Sequence, residues 1–180
     1  MQQFGFTRDQ AGEEIAFSLG TGQLSLDPLR ATMKSATPAM RAAIVEQALV
    51  WIKAYMATPQ FAQKYSAFRE NYKPGEPGWE DLSADELKEM KKQYAADLAQ
   101  WNQDYPANSK VLLAQRLREF LEVSANVDYN AKLVRSGSKM RFANENYESE
   151  SGEWKLCYRA GKAPVEKARA FAKAWLAELK

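Results

Sequence analysis

One stretch of the chain, residues 37–56, constrains the fold more than any other. Thr37 is a residue type that caps helices, and Pro38 suits the first helical position, where its missing N–H group is harmless. Apolar side chains recur at helical spacing and leave only Glu46 and Lys53 on a narrow polar strip. A helix that is apolar on so many sides needs several neighbours. The sequence therefore predicts a central helix around which the other helices pack.

Capping signals and turn residues predict further helices on both sides of this stretch. Thr7 can cap a first helix, a short helical piece is expected around residues 29–33, and Thr58 repeats the Thr-Pro start. Residues 73–78 are rich in turn-forming residues and predict a loop. The quartet 83–86 has the residues of a capping box, so a long helix should begin there.

Two helical segments before residue 127 carry further expectations. An aromatic stripe recurs at helical spacing and is expected to be core, because aromatic rings bury the most area; it consists of Phe61, Tyr65, Phe68 and Tyr72. Pro106 stops the helix that starts after the capping box, and Asn108 or Ser109 can cap the next. The short connection favours antiparallel packing of these two helices.

The pattern changes from helical to alternating spacing after residue 127. Tyr129 and Leu133 alternate with polar residues before a glycine-bearing turn at 136–138, and Met140 and Phe142 alternate after it. This pattern predicts a β-hairpin, which must pack against helices because a lone hairpin is marginally stable. A short helix over 153–160, closed by Gly161, and a last helix from Pro164 complete the chain.

The sequence thus predicts a mainly α fold, a single-domain bundle of about six or seven helices with one small β-hairpin near residues 129–143. The single domain covers residues 1–180. Its two parts are a helical core over 7–126 and the hairpin with the C-terminal helix pair over 127–180.

Composition excludes several classes of enzyme. The chain has no histidine, which excludes Ser-His-Asp and Cys-His catalysis and histidine-based zinc sites. The single cysteine, Cys157, excludes an internal disulfide and is expected to be a small buried hydrophobe. Enzymatic activity is therefore less expected than binding.

Acidic and glycine-containing stretches give no cofactor motif. Four carboxylates crowd residues 145–153, but their spacing lacks the pattern of a calcium-binding loop, so we expect a solvated loop. Neither a phosphate-binding glycine loop nor a nucleophile elbow occurs. We expect no metal and no cofactor.

The C-terminal third is the most basic part of the chain. Its cations include Lys132, Arg135, Lys139, Arg141, Lys155, Arg159, Lys162, Lys167, Arg169 and Lys173. Such residues with interleaved aromatics can bind nucleic acid or another polyanion. The formal net charge of +2, from 25 basic and 23 acidic residues, argues against nucleic acid as the partner.

A concave site, if one exists, is expected where the hairpin meets the helix over 153–160. Aromatic walls and a fixed positive charge would come from Tyr129, Phe142, Trp154, Tyr158 and Arg159. We expect a non-catalytic helical binding or interaction module with a protein or small-molecule partner. The alternatives are polyanion binding through the basic third and a carboxylate-dependent hydrolase that works without histidine.

The sequence leaves the compartment open. No window approaches the roughly 20 apolar residues of a membrane span. The first thirty residues lack the apolar core of a signal peptide. We therefore expect a soluble protein, either cytoplasmic or exported with its signal peptide already removed.

Overall fold

The structure, a computed structural model, describes residues 34–179. Six α-helices lie wholly within this range: α1 (Pro38–Met56), α2 (Pro59–Asn71), α3 (Ala84–Asp104), α4 (Ser109–Ala125), α5 (Gly152–Ala160) and α6 (Lys162–Glu178). Strands β1 (Leu133–Ser136) and β2 (Lys139–Phe142) form an antiparallel hairpin, followed by a 3-10 turn (Glu145–Tyr147). The predicted helical fold with one hairpin is confirmed. The helices predicted from Thr7 and around 29–33 lie outside the described residues.

Side-chain caps begin the first four of these helices at the predicted positions. The hydroxyls of Thr37 and Thr58 each accept the main-chain N–H three residues on, at 3.3 and 3.2 Å. Ser83 and Glu86 make both bonds of the capping box. The Asn108 side chain caps α4. These local bonds satisfy N–H groups that have no partner within the helix, which is why the starts were readable from the sequence.

The main core lies where α1 meets α6 and α4. Ile44, Ala48 and Ile52 form the buried stripe of α1 and pack with Leu113 of α4 and Trp175 of α6. Burying such side chains supplies most of the driving force for folding. The predicted helix is therefore confirmed as a core element.

The central position of α1 is shared with α6. Met40 and Val50 of α1 are 51% and 47% exposed, so its apolar circumference is buried along one stripe and not on most sides. α6 packs against α1, α4 and α5. Within the described range, α6 is therefore a second central helix beside α1.

The aromatic stripe of α2 forms a second small core. Phe61 and Tyr65 are buried with Leu112 of α4, and the two rings are stacked with centroids 6.3 Å apart. Phe68 is also buried, whereas Tyr72 is 48% exposed and packs against the Phe68 ring at 4.6 Å. The predicted core role is confirmed for the first three rings of the stripe.

α3 is attached through its C-terminal end. Trp101 is its buried residue, and its indole N–H donates to the Arg69 carbonyl at 3.0 Å. The Arg69 guanidinium lies 3.7 Å from the Trp101 ring, and its Nε donates to the Tyr105 carbonyl at 2.6 Å. The Tyr65 hydroxyl donates to the Pro106 carbonyl at 2.7 Å. α2 therefore holds both the end of α3 and the linker that follows it.

The predicted antiparallel packing of α3 against α4 is wrong, because the buried side chain of α3 is Trp101, near the C-terminal end, and the rest of the helix does not bury a face against α4. A short linker fixes the distance between two helix ends but not the direction in which the helices run. The direction here is set by the bonds from α2 to the linker carbonyls, which join residues distant in the sequence.

The hairpin is shorter than predicted and stands largely in solvent. Leu133 pairs with Phe142 and Ser136 with Lys139, so the turn has two residues. Gly137 takes a φ of 62° at the first of them, as the turns that match strand twist require. Phe142 is the only strand residue that is half-buried; the others are exposed. The side-chain packing of strands β1 and β2 against the helices is therefore made by the Phe142 ring.

Candidate functional site

Three of the five predicted site residues meet in one group of rings. The Phe142 ring lies edge-on to those of Trp154 and Tyr158, at centroid distances of 5.5 and 4.9 Å. The Trp154 and Tyr158 rings are stacked at 5.8 Å. Tyr147, which was not among the predicted residues, stacks on Trp154 at 5.2 Å. We call these four residues the aromatic cluster.

Two of the three polar side chains of the aromatic cluster bind the main chain of residues 126–131, and the third, Tyr147, binds the Asp128 carboxylate. The Trp154 indole N–H donates to the Asn126 carbonyl at 3.1 Å, and the Tyr158 hydroxyl donates to the Ala131 carbonyl at 2.6 Å. Trp154 is only 1% exposed. Since buried rings with satisfied polar atoms stabilise structure, the cluster fastens the hairpin and the preceding segment to α5. Ligand binding by these rings stays a prediction.

The other two predicted residues lie apart from the aromatic cluster. Arg159 is exposed on α5. Tyr129 lines a groove of about 420 Å³ between the segment after α4 and the first half of α6. Three apolar residues, Ala125, Val127 and Val165, contribute to its walls. The titratable and amide side chains of the groove are Asp128, Tyr129, Asn130, Lys162, Glu166 and Arg169.

Arg169 is held in a fixed orientation at this groove. Its Nη1 donates to the Leu121 carbonyl and to the Ser124 hydroxyl, both at 2.6 Å. Nη1 supplies two of the five guanidinium N–H donors. Within residues 34–179, no hydrogen bond occupies Nε or Nη2, and no carboxylate pairs with this side chain. Nε and Nη2 form one edge of the guanidinium, which matches the two oxygens of a carboxylate.

The remaining charges of the groove already have partners. Asp128 accepts the main-chain N–H of Asn130 and the hydroxyl of Tyr147, each at 2.9 Å. Lys162 and Glu166 lie 3.8 Å apart and are both more than half exposed, so this pair is weak. Arg169 is therefore the groove cation without an ion-pair partner in the part of the chain that the structure describes.

Two protonated groups lie close to the groove. The Tyr129 hydroxyl is buried and has no hydrogen-bond partner among the described residues. Burial raises the pKa of Tyr129 to about 12, so its hydroxyl remains a donor at neutral pH. Burial also raises the pKa of the Cys157 thiol to about 11. The prediction that Cys157 is buried is confirmed, and its thiol is not nucleophilic at neutral pH.

Comparison with protein-family models, with curated proteins and with solved structures found no match. The chemistry of the site is therefore the basis for the proposed function.

Between residues 34 and 179, no helix is both long and apolar enough to cross a membrane. The same residues contain no group of three or more His, Cys, Asp and Glu side chains that could hold a metal ion. In the acidic loop over residues 145–153, the side-chain carboxylate of Glu148 accepts the main-chain N–H of Phe142 at 2.6 Å, so this carboxylate binds the hairpin.

The groove itself was not predicted. Lys162, Glu166 and Arg169 follow helical spacing and share one face of α6, which is a signal present in the sequence. In the sequence, Lys162 and Arg169 stand out only as members of the basic C-terminal third. Spacing within one helix does not show which loop faces it, and the role of residues 124–130 as the opposite wall depends on tertiary packing.

Proposed function

We propose that this protein is a non-catalytic binding module and that its groove binds a small molecule carrying a carboxylate group. The observation that carries this proposal is the orientation of Arg169. Two bonds from Nη1 to α4 fix the guanidinium, while the Nε and Nη2 donors have no partner in residues 34–179. A donor pair held in place before binding costs little entropy when the ligand arrives.

The size and chemistry of the groove favour a small polar ligand. A volume of about 420 Å³ is at the lower end of the range typical of small-molecule sites, about 300–1,000 Å³. Lys162, Glu166 and Asn130 offer further polar contacts around Arg169. A metabolite-sized carboxylate with additional hydroxyl, amide or amino groups fits this chemistry. A nucleic acid does not, because its backbone needs a continuous basic surface.

A carboxylate-dependent hydrolase is the alternative enzyme function, and binding is better supported. Asp128 and Glu166 both line the groove, but Asp128 accepts two hydrogen bonds and Glu166 lies near Lys162. General acid–base catalysis needs a carboxyl group free to exchange a proton with the substrate. Turnover in a hydrolase activity screen would favour the alternative.

Thermal unfolding in the presence of small anions tests the proposed function. The panel contains sodium acetate, succinate and glutamate, with phosphate and sodium chloride at matched ionic strength. A ligand at about a hundred times its Kd stabilises the folded state by about 2.7 kcal/mol. For a chain of this length we expect the Tm to rise by about 5–10 °C with at least one carboxylate.

Three variants show whether the groove is responsible. Ala125→Phe fills the groove from an exposed position and should abolish the rise in Tm, whereas Ala96→Phe on the exposed side of α3 should retain it. Arg169→Lys keeps the charge but loses the paired donors, so it should also abolish the rise. Each variant is compared with its own ligand-free Tm. No carboxylate-specific rise in the wild type, or an equal rise in Ala125→Phe, would refute the proposal.

A further inference from the structure

The hairpin carries four cations without carboxylate partners. They are Lys132, just before β1, Arg135 on β1, and Lys139 and Arg141 on β2. All four are exposed, and none forms an ion pair with any residue of the described range. The sequence has no acidic residue between Asp128 and Glu145. This part of the surface is therefore basic despite the small net charge of the chain.

Exposed apolar side chains alternate with these cations. Leu133 and Val134 are 42% and 47% exposed, and Met140 is 59% exposed. Leu133 and Met140 lie on one face of the hairpin and Val134 on the other, because successive side chains of a strand alternate. Each face thus combines apolar and positively charged side chains.

The outer edge of β1 has main-chain groups free to form a ladder. The Ala143 N–H donates to the Lys132 carbonyl at 2.8 Å, which fixes the alternation of bonded and non-bonded pairs. Leu133 and Arg135 therefore direct their N–H and C=O groups away from β2. On the opposite edge, the Phe142 N–H is already bound by Glu148 at 2.6 Å.

We propose that the β1 edge binds an extended acidic segment of another protein, which adds to the hairpin as a third strand. The free N–H and C=O groups would bind the main chain of that segment. Its acidic side chains would lie on the face that carries Lys132, Lys139 and Arg141, and its apolar side chains would cover Leu133 on the opposite face. Complementary charge makes an acidic partner the best match.

Two other occupants fit the hairpin less well. Sequence-independent binding of single-stranded nucleic acid uses exposed aromatic rings for stacking, and the rings beside the hairpin are packed into the aromatic cluster. A second copy of this chain would bring two basic strands together. Like charges directly opposite each other destabilise such pairing.

Fluorescence anisotropy with a labelled peptide of alternating glutamate and valine tests this inference on the full chain. We expect binding at low salt that weakens as salt is added. The same peptide N-methylated at alternate residues cannot complete the ladder and should not bind. The charge-reversed variant Lys132→Glu/Arg141→Glu, whose two sites share one face of the hairpin, should bind at least about tenfold more weakly.

A matched variant separates the hairpin from overall charge. Lys88→Glu/Lys173→Glu changes the net charge equally at exposed sites on α3 and α6, and its affinity should stay within about twofold of the wild type, as for rim charges outside an interface. The inference is overturned by undetectable peptide binding, by equal loss in both variants, or by equal binding of the N-methylated peptide. Tighter binding of a single-stranded DNA oligonucleotide than of the peptide would also overturn it.

Discussion

Gly161 joins α5 to α6 in a conformation that other residues strongly disfavour. Its φ is 92° and its ψ is 162°, within a region occupied almost only by glycine. A Cβ atom at this position would meet no other atom within 4 Å, so the cost of a side chain comes from the backbone alone. The direct connection of these two helices therefore depends on this glycine.

Replacing Gly161 tests this dependence. We expect Gly161→Ala to lower the free energy of unfolding by about 1–3 kcal/mol, measured by urea denaturation. Gly152, at the first position of α5, has an ordinary φ and open space around it. Gly152→Ala should leave the free energy of unfolding unchanged or raise it by up to about 1 kcal/mol. Equal effects of the two substitutions would contradict the assigned backbone strain.

Tyr129 and Cys157 predict how stability responds to alkaline pH. Burial raises the pKa of Tyr129 from 10.0 to about 12 and that of Cys157 from 9.0 to about 11. At pH values between the unfolded and folded pKa, the folded protein holds more protons than the unfolded chain. The free energy of unfolding should therefore fall as pH rises from about 9 to 12.

Removing the two groups should flatten this dependence. In Tyr129→Phe/Cys157→Ala, we expect a smaller fall in the free energy of unfolding over the same pH range, followed by urea denaturation. At neutral pH, Tyr129→Phe alone should be neutral or stabilising by up to about 1 kcal/mol, because it deletes a buried hydroxyl that has no partner among the described residues. An unchanged slope in the double variant would show that these groups do not titrate as proposed.

At the level of secondary structure, the hairpin is held to the helices by Phe142. Its ring makes edge-to-face contacts with Trp154 and Tyr158, whereas Met140 on the same strand is 59% exposed. We expect Phe142→Ala to lower the free energy of unfolding by about 2 kcal/mol, less than for a fully buried ring. Met140→Ala should change it by less than about 0.5 kcal/mol. Comparable losses in urea denaturation would contradict this attachment.

Helix starts could be predicted from the sequence because the bonds that form them are local. The caps at Thr37, Thr58 and Ser83 each bind a main-chain N–H three residues away. The hairpin turn is likewise a local feature, in which Gly137 takes a φ of 62°. Such features require no knowledge of the rest of the fold.

Contacts between distant elements were less predictable. The orientation of α3 depends on bonds from Tyr65 and Arg69 to carbonyls near Pro106, and no sequence pattern connects these residues. Three of the predicted site residues, Phe142, Trp154 and Tyr158, meet between the hairpin and α5, and the polar atoms of the last two bind main-chain carbonyls of residues 126 and 131. Because nearly every residue has the same main-chain groups, the sequence does not show which carbonyl groups the Trp154 and Tyr158 side chains bind.

For the whole molecule, α6 connects the core to the proposed binding site. Trp175 of α6 is buried in the core and Phe171 packs against it, whereas Arg169 lies at the groove while its Nη1 holds the end of α4. Ligand binding at Arg169 should therefore need no large rearrangement of the helices. Residues 126–131 connect the two ends of the site, because they line the groove and bind the aromatic cluster.

The most direct test of the proposed function follows the arginine Nε–H resonances of the ¹⁵N-labelled protein during titration with sodium succinate. The Arg169 resonance, assigned by its loss in Arg169→Lys, should shift and reach saturation. The Arg159 resonance should not, because this side chain is exposed outside the groove. An Arg169 resonance that does not move, or a parallel shift of all arginines that sodium chloride reproduces, would contradict binding at the groove.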